Sequence, residues 1–90
     1  MNEVILNSEE FSNIDELHLL LKKKLKLPEY YGKTLDALWD CLTGWIELPI
    51  TVVWLDYEKS RQKIGEYAEK LAGTFQEAEQ ELEGFNFIKN

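Results

Sequence analysis

The chain has 90 residues, of which 44% are hydrophobic and 12% aromatic, and its formal net charge is −7. This length suits one small domain, which we expect to span residues 1–90, and the apolar content is too high for a disordered chain. Seventeen acidic against ten basic residues disfavour binding to nucleic acid or to an anionic membrane, because both depend on clustered lysine and arginine. A basic protein partner fits the charge, although acidic composition is also common for solubility alone.

The cysteine content and the apolar runs indicate a cellular compartment. Cys41 is the only cysteine, so an intrachain disulfide is impossible, and a small domain without one suits a reducing environment. The longest mostly apolar run, residues 50–55, is far shorter than the roughly 20 residues that a membrane helix needs. The acidic N-terminus lacks the basic region of a signal peptide. We therefore expect a cytoplasmic protein.

The chain begins with a predicted strand and a predicted helix. Residues 4–6 (VIL) form a short apolar run that predicts the strand. Either Ser12 or Asn13 can cap the helix that follows, and Pro28 ends it. The apolar residues of this helix recur at helical spacing: Ile14, Leu17, Leu21 and Leu25.

A second predicted helix is amphipathic. Thr34 can cap it and Pro49 lies beyond its end. At about 100° per residue the side chains divide into two arcs. The apolar arc holds Leu35, Leu38, Cys41, Leu42 and Trp45, and the outer arc holds Asp36, Asp40, Thr43 and Gly44, with Trp39 at its edge. We expect Cys41 to be buried and unreactive.

The outer arc carries an unfavourable pair of like charges. Asp36 and Asp40 are four residues apart, which destabilises a helix by a few tenths of a kcal/mol. Tyr30 and Tyr31 lie just before the helix, and aromatic residues around an acidic patch with a small residue for close approach are typical of a protein interface. An ordinary solvated helix face fits the pattern equally well.

The second half of the chain predicts two strands separated by helical sequence. Residues 50–54 are β-branched without alternation, which is typical of a central strand in a parallel sheet. Residues 56–82 show helical spacing and form either one helix or two, since Gly65 or Gly73 can interrupt them. Residues 85–88 predict the last strand. A helix lies between each pair of successive strands, so the fold class is α/β with a small three-stranded parallel sheet.

Catalytic and metal sites are not indicated. Two neighbouring carboxylates occur in glycosidases, but a pair on a convex helix supplies no cleft for a sugar. His18, the only histidine, lies at the edge of the apolar stripe of the first helix and is expected to be structural or exposed. Neither a nucleophile with an orienting base nor a metal-ligand spacing is present. We expect neither an enzyme nor a metalloprotein.

The central segment LPEYYGKTLDALWDCLTGWIELP closely resembles the signature segment of the barstar family, intracellular inhibitors of barnase, a secreted bacterial ribonuclease. The resemblance continues through IDELHLLLKKKLKLPEYYG before it and TFQEAE at residues 74–79, so it covers most of the chain. It implies a three-stranded parallel sheet of order 1-2-3 packed with three to four helices. It also implies a stoichiometric inhibitor of a guanyl-specific ribonuclease, without cofactor, metal or catalysis, that is a monomer when free and forms a 1:1 complex.

The resemblance also implies which residues contact the basic active site of the enzyme, where RNA phosphates bind. These are Tyr30, Gly32, Thr34, Asp36, Trp39, Asp40, Thr43, Gly44 and Glu77. Tyr30 would pack beside the catalytic histidine of the enzyme, and Asp40 would stand where a substrate phosphate binds. Trp45 would support the helix from within.

Two residues depart from the family pattern. Thr34 replaces the usual asparagine, and Lys33 places a positive charge in the loop before the helix. The alternative hypothesis is therefore an acidic regulatory module that uses the same helix to bind another basic protein or toxin.

Overall fold

The structure is a computed structural model that describes residues 2–90. Its elements, in chain order, are β1 (Asn2–Asn7), a short 3-10 turn (Ser8–Glu10), α1 (Ile14–Lys24), α2 (Leu35–Gly44), β2 (Ile50–Leu55), α3 (Tyr57–Ile64), α4 (Glu66–Glu81) and β3 (Phe85–Lys89). The strands pair in parallel in the order β1-β2-β3. The predicted α/β class, the parallel sheet and its order 1-2-3 are therefore confirmed.

The central strand β2 is buried along most of its length, as its β-branched sequence predicts. Val4, Val52 and Phe87 lie side by side in one row across the sheet, and Leu6 pairs with Trp54 in the next row on the same face. This face packs on the helices in a common core. The smallest dimension of the molecule is 19 Å, which fits one sheet and one layer of helices.

Alternate residues of the strands point to the other face of the sheet. Ile5, Val53 and Ile88 form one row there, and Glu3, Thr51 and Asn86 form another. We call this the outer sheet face. Asn86 and Ile88 are exposed. The core helices of the described chain all lie against the opposite face, so the domain has two layers rather than three.

Two side-chain caps define where the first two helices begin. The Asn13 side chain accepts a hydrogen bond from the Glu16 backbone N–H at 2.8 Å, so Asn13 rather than Ser12 caps α1. Thr34 Oγ1 accepts from the Ala37 N–H at 3.0 Å, as predicted for α2. Each cap satisfies one of the N–H groups that the first turn of a helix leaves without a partner.

The helical segment after β2 consists of two helices, which meet at Gly65. The φ and ψ angles of Gly65 are 61° and −137°, a conformation that residues with a side chain rarely adopt. Gly73 lies inside the continuous helix α4. The segment therefore forms two helices rather than one, and the interruption lies at Gly65 rather than at Gly73.

Three of the four apolar residues that recur at helical spacing in and just after α1 belong to the core. Leu17, Leu21 and Leu25 are buried, but Ile14 is 40% exposed. Ile14 is the first residue of the helix, where the chain enters from solvent. None of the helices in residues 2–90 combines the length and the hydropathy needed to cross a membrane.

Candidate functional site

The amphipathic character predicted for α2 is present in the structure. Leu38, Cys41 and Leu42 are buried against the core. The opposite side, which we call the acidic face, consists of Asp36, Asp40, Thr43 and Gly44, all exposed, with the half-buried Trp39 at its edge. Burial raises the pKa of the Cys41 thiol, which keeps the sulfur protonated and unreactive, as expected.

The two carboxylates of the acidic face have no internal partner. Within residues 2–90, neither Asp36 nor Asp40 forms an ion pair or a side-chain hydrogen bond. The basic side chains that do form ion pairs bind acids elsewhere: Lys22 with Glu29, Lys24 with Glu10, Lys59 with Glu9, and Arg61 with Glu58 and Glu69. The sequence contains no lysine or arginine from residue 34 to residue 58. The two carboxylates of α2 are thus available to bind a cationic group of another molecule.

The remaining residues of the acidic face are shaped for close contact. Thr43 Oγ1 donates a hydrogen bond to the Trp39 carbonyl at 2.9 Å, so its oxygen keeps acceptor capacity toward solvent. A Cβ added to Gly44 would meet nothing within 4 Å. The absence of a side chain at Gly44 is therefore not required by internal packing and leaves backbone open to an approaching molecule.

The α1–α2 loop (residues 25–34) presents one tyrosine and buries the next. Tyr30 is 79% exposed, whereas Tyr31 is 6% exposed. The Tyr31 hydroxyl lies 2.6 Å from His18 Nδ1, and the Tyr67 hydroxyl lies 2.6 Å from His18 Nε2. Tyr31 thus anchors the loop to α1 and α4 while Tyr30 projects from it.

The prediction that Trp45 supports α2 from within is wrong. The Trp45 side chain is 49% exposed, and its indole N–H donates to the Lys26 carbonyl in the α1–α2 loop at 3.0 Å. Its ring packs edge to face on Tyr30, with ring centroids 6.2 Å apart. Because Trp45 caps the C-terminus of α2, it turns away from the core and extends the exposed aromatic surface of Tyr30.

Two more loop residues lie beside the cap of α2. Lys33 is exposed and has a φ of 56°, a left-handed conformation that is uncommon for a residue with a side chain. A Cβ added to Gly32 would lie 3.4 Å from the Ala37 Cβ, in van der Waals contact with the first turn of α2. The tight turn therefore places a cation next to the acidic face.

The structure groups most of the predicted contact residues. Asp36, Trp39, Asp40, Thr43 and Gly44 lie on α2, and Tyr30, Gly32 and Thr34 lie in the loop before it. Glu77 is exposed on α4, which packs against α2, but no described contact joins it to the α2 carboxylates. That the predicted contact residues bind a partner protein stays a prediction.

Sequence reasoning missed how His18 is used. His18 is 1% exposed and bonds to tyrosines 13 and 49 residues away. The available signal was a single histidine on an apolar stripe, together with Tyr67 on the apolar stripe of another helix. Both stripes face the core in a two-layer packing, but which of their residues meet depends on the fold.

Comparison with known proteins shows which protein family this sequence is similar to. The sequence model of the family Barstar (barnase inhibitor) matches residues 1–88. A protein of Bacillus subtilis (strain 168) named "Putative ribonuclease inhibitor YrdF" is 49% identical over 82 residues, which are 91% of this chain and 90% of that protein.

Proposed function

Because the chain belongs to the barstar family, we propose that it is a stoichiometric ribonuclease inhibitor that acts in the cytoplasm. Membership places the chain among inhibitors rather than enzymes, as the sequence predicted. The proposed target is a basic, guanyl-specific ribonuclease of the barnase type. The inhibitor forms a 1:1 complex and occupies the active site with α2 and the α1–α2 loop.

The observation that carries this proposal is the unpaired carboxylate pair of Asp36 and Asp40. Both side chains are exposed on one helix face, and residues 34–58 contain no lysine or arginine. A ribonuclease active site binds phosphates with cationic groups, and a carboxylate accepts short, charge-assisted hydrogen bonds from the same groups. The acidic face can therefore replace the substrate phosphates.

The remaining contact residues complete the proposed fit. Tyr30, exposed beside Trp45, supplies a rigid aromatic surface of the kind that dominates binding energies at interfaces. Gly44 allows the partner to approach the backbone. The net charge of −7 attracts a basic enzyme over distances longer than any contact.

The test is a titration of barnase activity with this protein and with charge-removing variants. Asp40→Asn should weaken binding more than any other single surface change, by about 1.5–3 kcal/mol, because a charged hydrogen-bond acceptor is lost. Asp36→Asn should have a smaller effect of the same sign. Glu3→Gln is the matched control, since it removes one exposed charge from the outer sheet face.

The free energy of unfolding separates contact from folding. Asp40→Asn relieves the repulsion between two like charges on α2, so stability should stay within about 0.5 kcal/mol of the wild type. An affinity for barnase that is unchanged in the Asp40→Asn variant would exclude this form of inhibition. So would the absence of a complex between the wild-type protein and any guanyl-specific ribonuclease.

Lys33 favours a second candidate partner. A cation in the α1–α2 loop repels a uniformly basic cleft, whereas it suits a protein that is basic where it meets α2 and acidic where it meets the loop. The same acidic face would then serve a regulatory module that binds a different basic protein or toxin. Capture from lysate by the wild type, but not by the Asp36→Asn/Asp40→Asn double variant, together with no binding to barnase, is the result expected of this candidate.

A further inference from the structure

His18 joins three parts of the molecule through its imidazole ring. The ring belongs to α1, and its two nitrogens each lie 2.6 Å from a tyrosine hydroxyl, Tyr31 in the α1–α2 loop and Tyr67 on α4. The His18 side chain is 1% exposed, and its hydrogen bond to Tyr31 is buried while that to Tyr67 is partly buried. The ring is therefore the polar link between the helical layer and the loop.

The hydrogen bond of His18 to Tyr31 affects the exposed surface because Tyr31 is next to Tyr30 in the chain. Tyr31 is buried and directly follows Tyr30, which is 79% exposed. The Tyr31 N–H also donates to the Pro28 carbonyl at 3.0 Å, which closes a tight turn around Tyr30. Because the backbone between the two tyrosines is short and closed, fixing the Tyr31 hydroxyl fixes the direction in which Tyr30 projects.

The two hydrogen bonds depend on the protonation state of the ring. A neutral imidazole has one donor and one acceptor nitrogen, so one tyrosine donates to the ring and the other accepts from it. A protonated ring has two donors, and the tyrosine that previously donated must turn its O–H away to another acceptor. Where that tyrosine is Tyr31, which is 6% exposed, the buried hydroxyl is left without its acceptor, and this loss costs free energy.

The charged and titratable groups around the ring come from each neighbouring element. Burial lowers the pKa of His18, the positive charge of Lys33 in the loop lowers it further, and Asp15 on α1 opposes both. Tyr31 and Tyr67 themselves have raised pKa values because they are buried, and Cys41 of α2 adds to the effect on Tyr31. Near neutral pH the ring is thus neutral and both hydroxyls are protonated.

We propose that His18 is a positioning residue for the partner-binding surface: its neutral ring, held between Tyr31 and Tyr67, fixes the loop that carries Tyr30, and protonation releases the loop and weakens binding. The inference rests on the proposed function, because the bound ribonuclease is what detects the position of the loop. His18 itself does not reach the partner, since it is buried beneath the loop.

The first experiment uses the free protein. The chain has one histidine, so its ring resonances in an NMR pH titration are unambiguous. Hydrogen exchange of the Tyr31 amide should accelerate, after correction for the intrinsic pH dependence of exchange, with the same midpoint as the His18 titration. Tyr67→Phe, which removes one of the two hydroxyls, should accelerate this exchange already at neutral pH.

Tyr57→Phe is the matched control for Tyr67→Phe. Tyr57 is a partly buried tyrosine whose ring packs on Trp54, and its hydroxyl makes no hydrogen bond to His18. This variant should leave the exchange of the Tyr31 amide as in the wild type. An exchange rate of the Tyr31 amide that does not change with the His18 titration would overturn the proposal. So would an equal increase of this rate in Tyr67→Phe and Tyr57→Phe.

The second experiment measures dissociation of the barnase complex at about pH 7.5 and about pH 5.5, and circular dichroism is recorded at both pH values to verify that the chain is folded. His18→Gln keeps a donor and an acceptor but does not titrate. Because the same enzyme is used throughout, its own titration affects both inhibitors equally. The acceleration of dissociation on acidification should be at least about fivefold larger for the wild type than for His18→Gln.

The two experiments separate failure of this proposal from failure of the proposed function. Equal acceleration for both inhibitors would show that the ring does not act on binding. If barnase does not bind at all while the Tyr31 amide follows the His18 titration, the target is wrong and the positioning role of His18 stands. If His18→Gln does not fold, Tyr67→Phe takes its place, and its dissociation at neutral pH should already be faster than that of Tyr57→Phe.

Discussion

Thr34 joins the α1–α2 loop to α2, and its side chain does so through one hydrogen bond to the Ala37 N–H. Thr34→Ala removes this cap and should lower the free energy of unfolding by about 1 kcal/mol. Thr74→Ala is the control, because Thr74 Oγ1 donates to the Lys70 carbonyl inside α4 and caps nothing. Urea unfolding of both variants checks the prediction, which fails if the two changes cost the same.

At the scale of single residues, local pattern predicted what depends on the helix alone. The exposure of Asp36 and Asp40 and the burial of Cys41 follow from helical periodicity, and Thr34 follows from capping preference. Trp45 did not follow, because its position depends on the Lys26 carbonyl, 19 residues earlier. His18 did not follow either, since Tyr67, one of its two partners, is 49 residues away. Contacts of that kind are set by the packing of elements.

At the scale of elements, the strands and their order were predictable because hydrophobicity and turn residues mark them. The break between α3 and α4 was not, since the apolar spacing continues from Ile64 through Tyr67 to Leu71 as if one helix ran throughout. Only the backbone angles at Gly65 show which glycine interrupts the segment. An added side chain is therefore expected to be unfavourable at Gly65 and favourable at Gly73.

Substitution by alanine should distinguish the two glycines. Gly65→Ala forces a Cβ into a positive-φ conformation that is found almost only in glycine and should destabilise the fold by about 1–3 kcal/mol. Gly73→Ala lies inside α4, where an added Cβ meets nothing within 4 Å, and should stabilise it by about 0.5–1 kcal/mol. Thermal or urea unfolding gives both values. A Gly65→Ala variant as stable as Gly73→Ala would contradict the helix break.

For the whole molecule, charge sets how fast a basic partner is met. The net charge of −7 should accelerate association with barnase, and salt should screen that attraction. Between ionic strengths of about 0.05 and 0.5 M, the association rate constant should fall by at least about tenfold while the dissociation rate constant changes little. Stopped-flow mixing measures both. The Asp36→Asn/Asp40→Asn double variant should show a weaker dependence, and an association rate that ignores salt would exclude electrostatic attraction.

Global stability should also depend on pH through His18. Its pKa in the folded protein is lowered by burial from the ordinary value of 6.5, so below that value the unfolded chain binds the proton more readily than the folded one. The contribution of the neutral ring to stability is then complete above pH 6.5 and declines as the pH falls below it. Urea unfolding between about pH 7.5 and 5.5 should show this decline. His18→Gln should flatten it, and a stability that rises on acidification would have the wrong sign.

The outer sheet face offers a practical means of handling this protein. Asn86 lies on that face and is exposed, whereas α2 belongs to the helical layer on the opposite side of the sheet. A dye or a surface linker attached through Asn86→Cys, after replacement of the buried Cys41, would therefore leave α2 pointing away from the attachment point. Immobilised in this orientation, every molecule would present the same helix to a ribonuclease in solution.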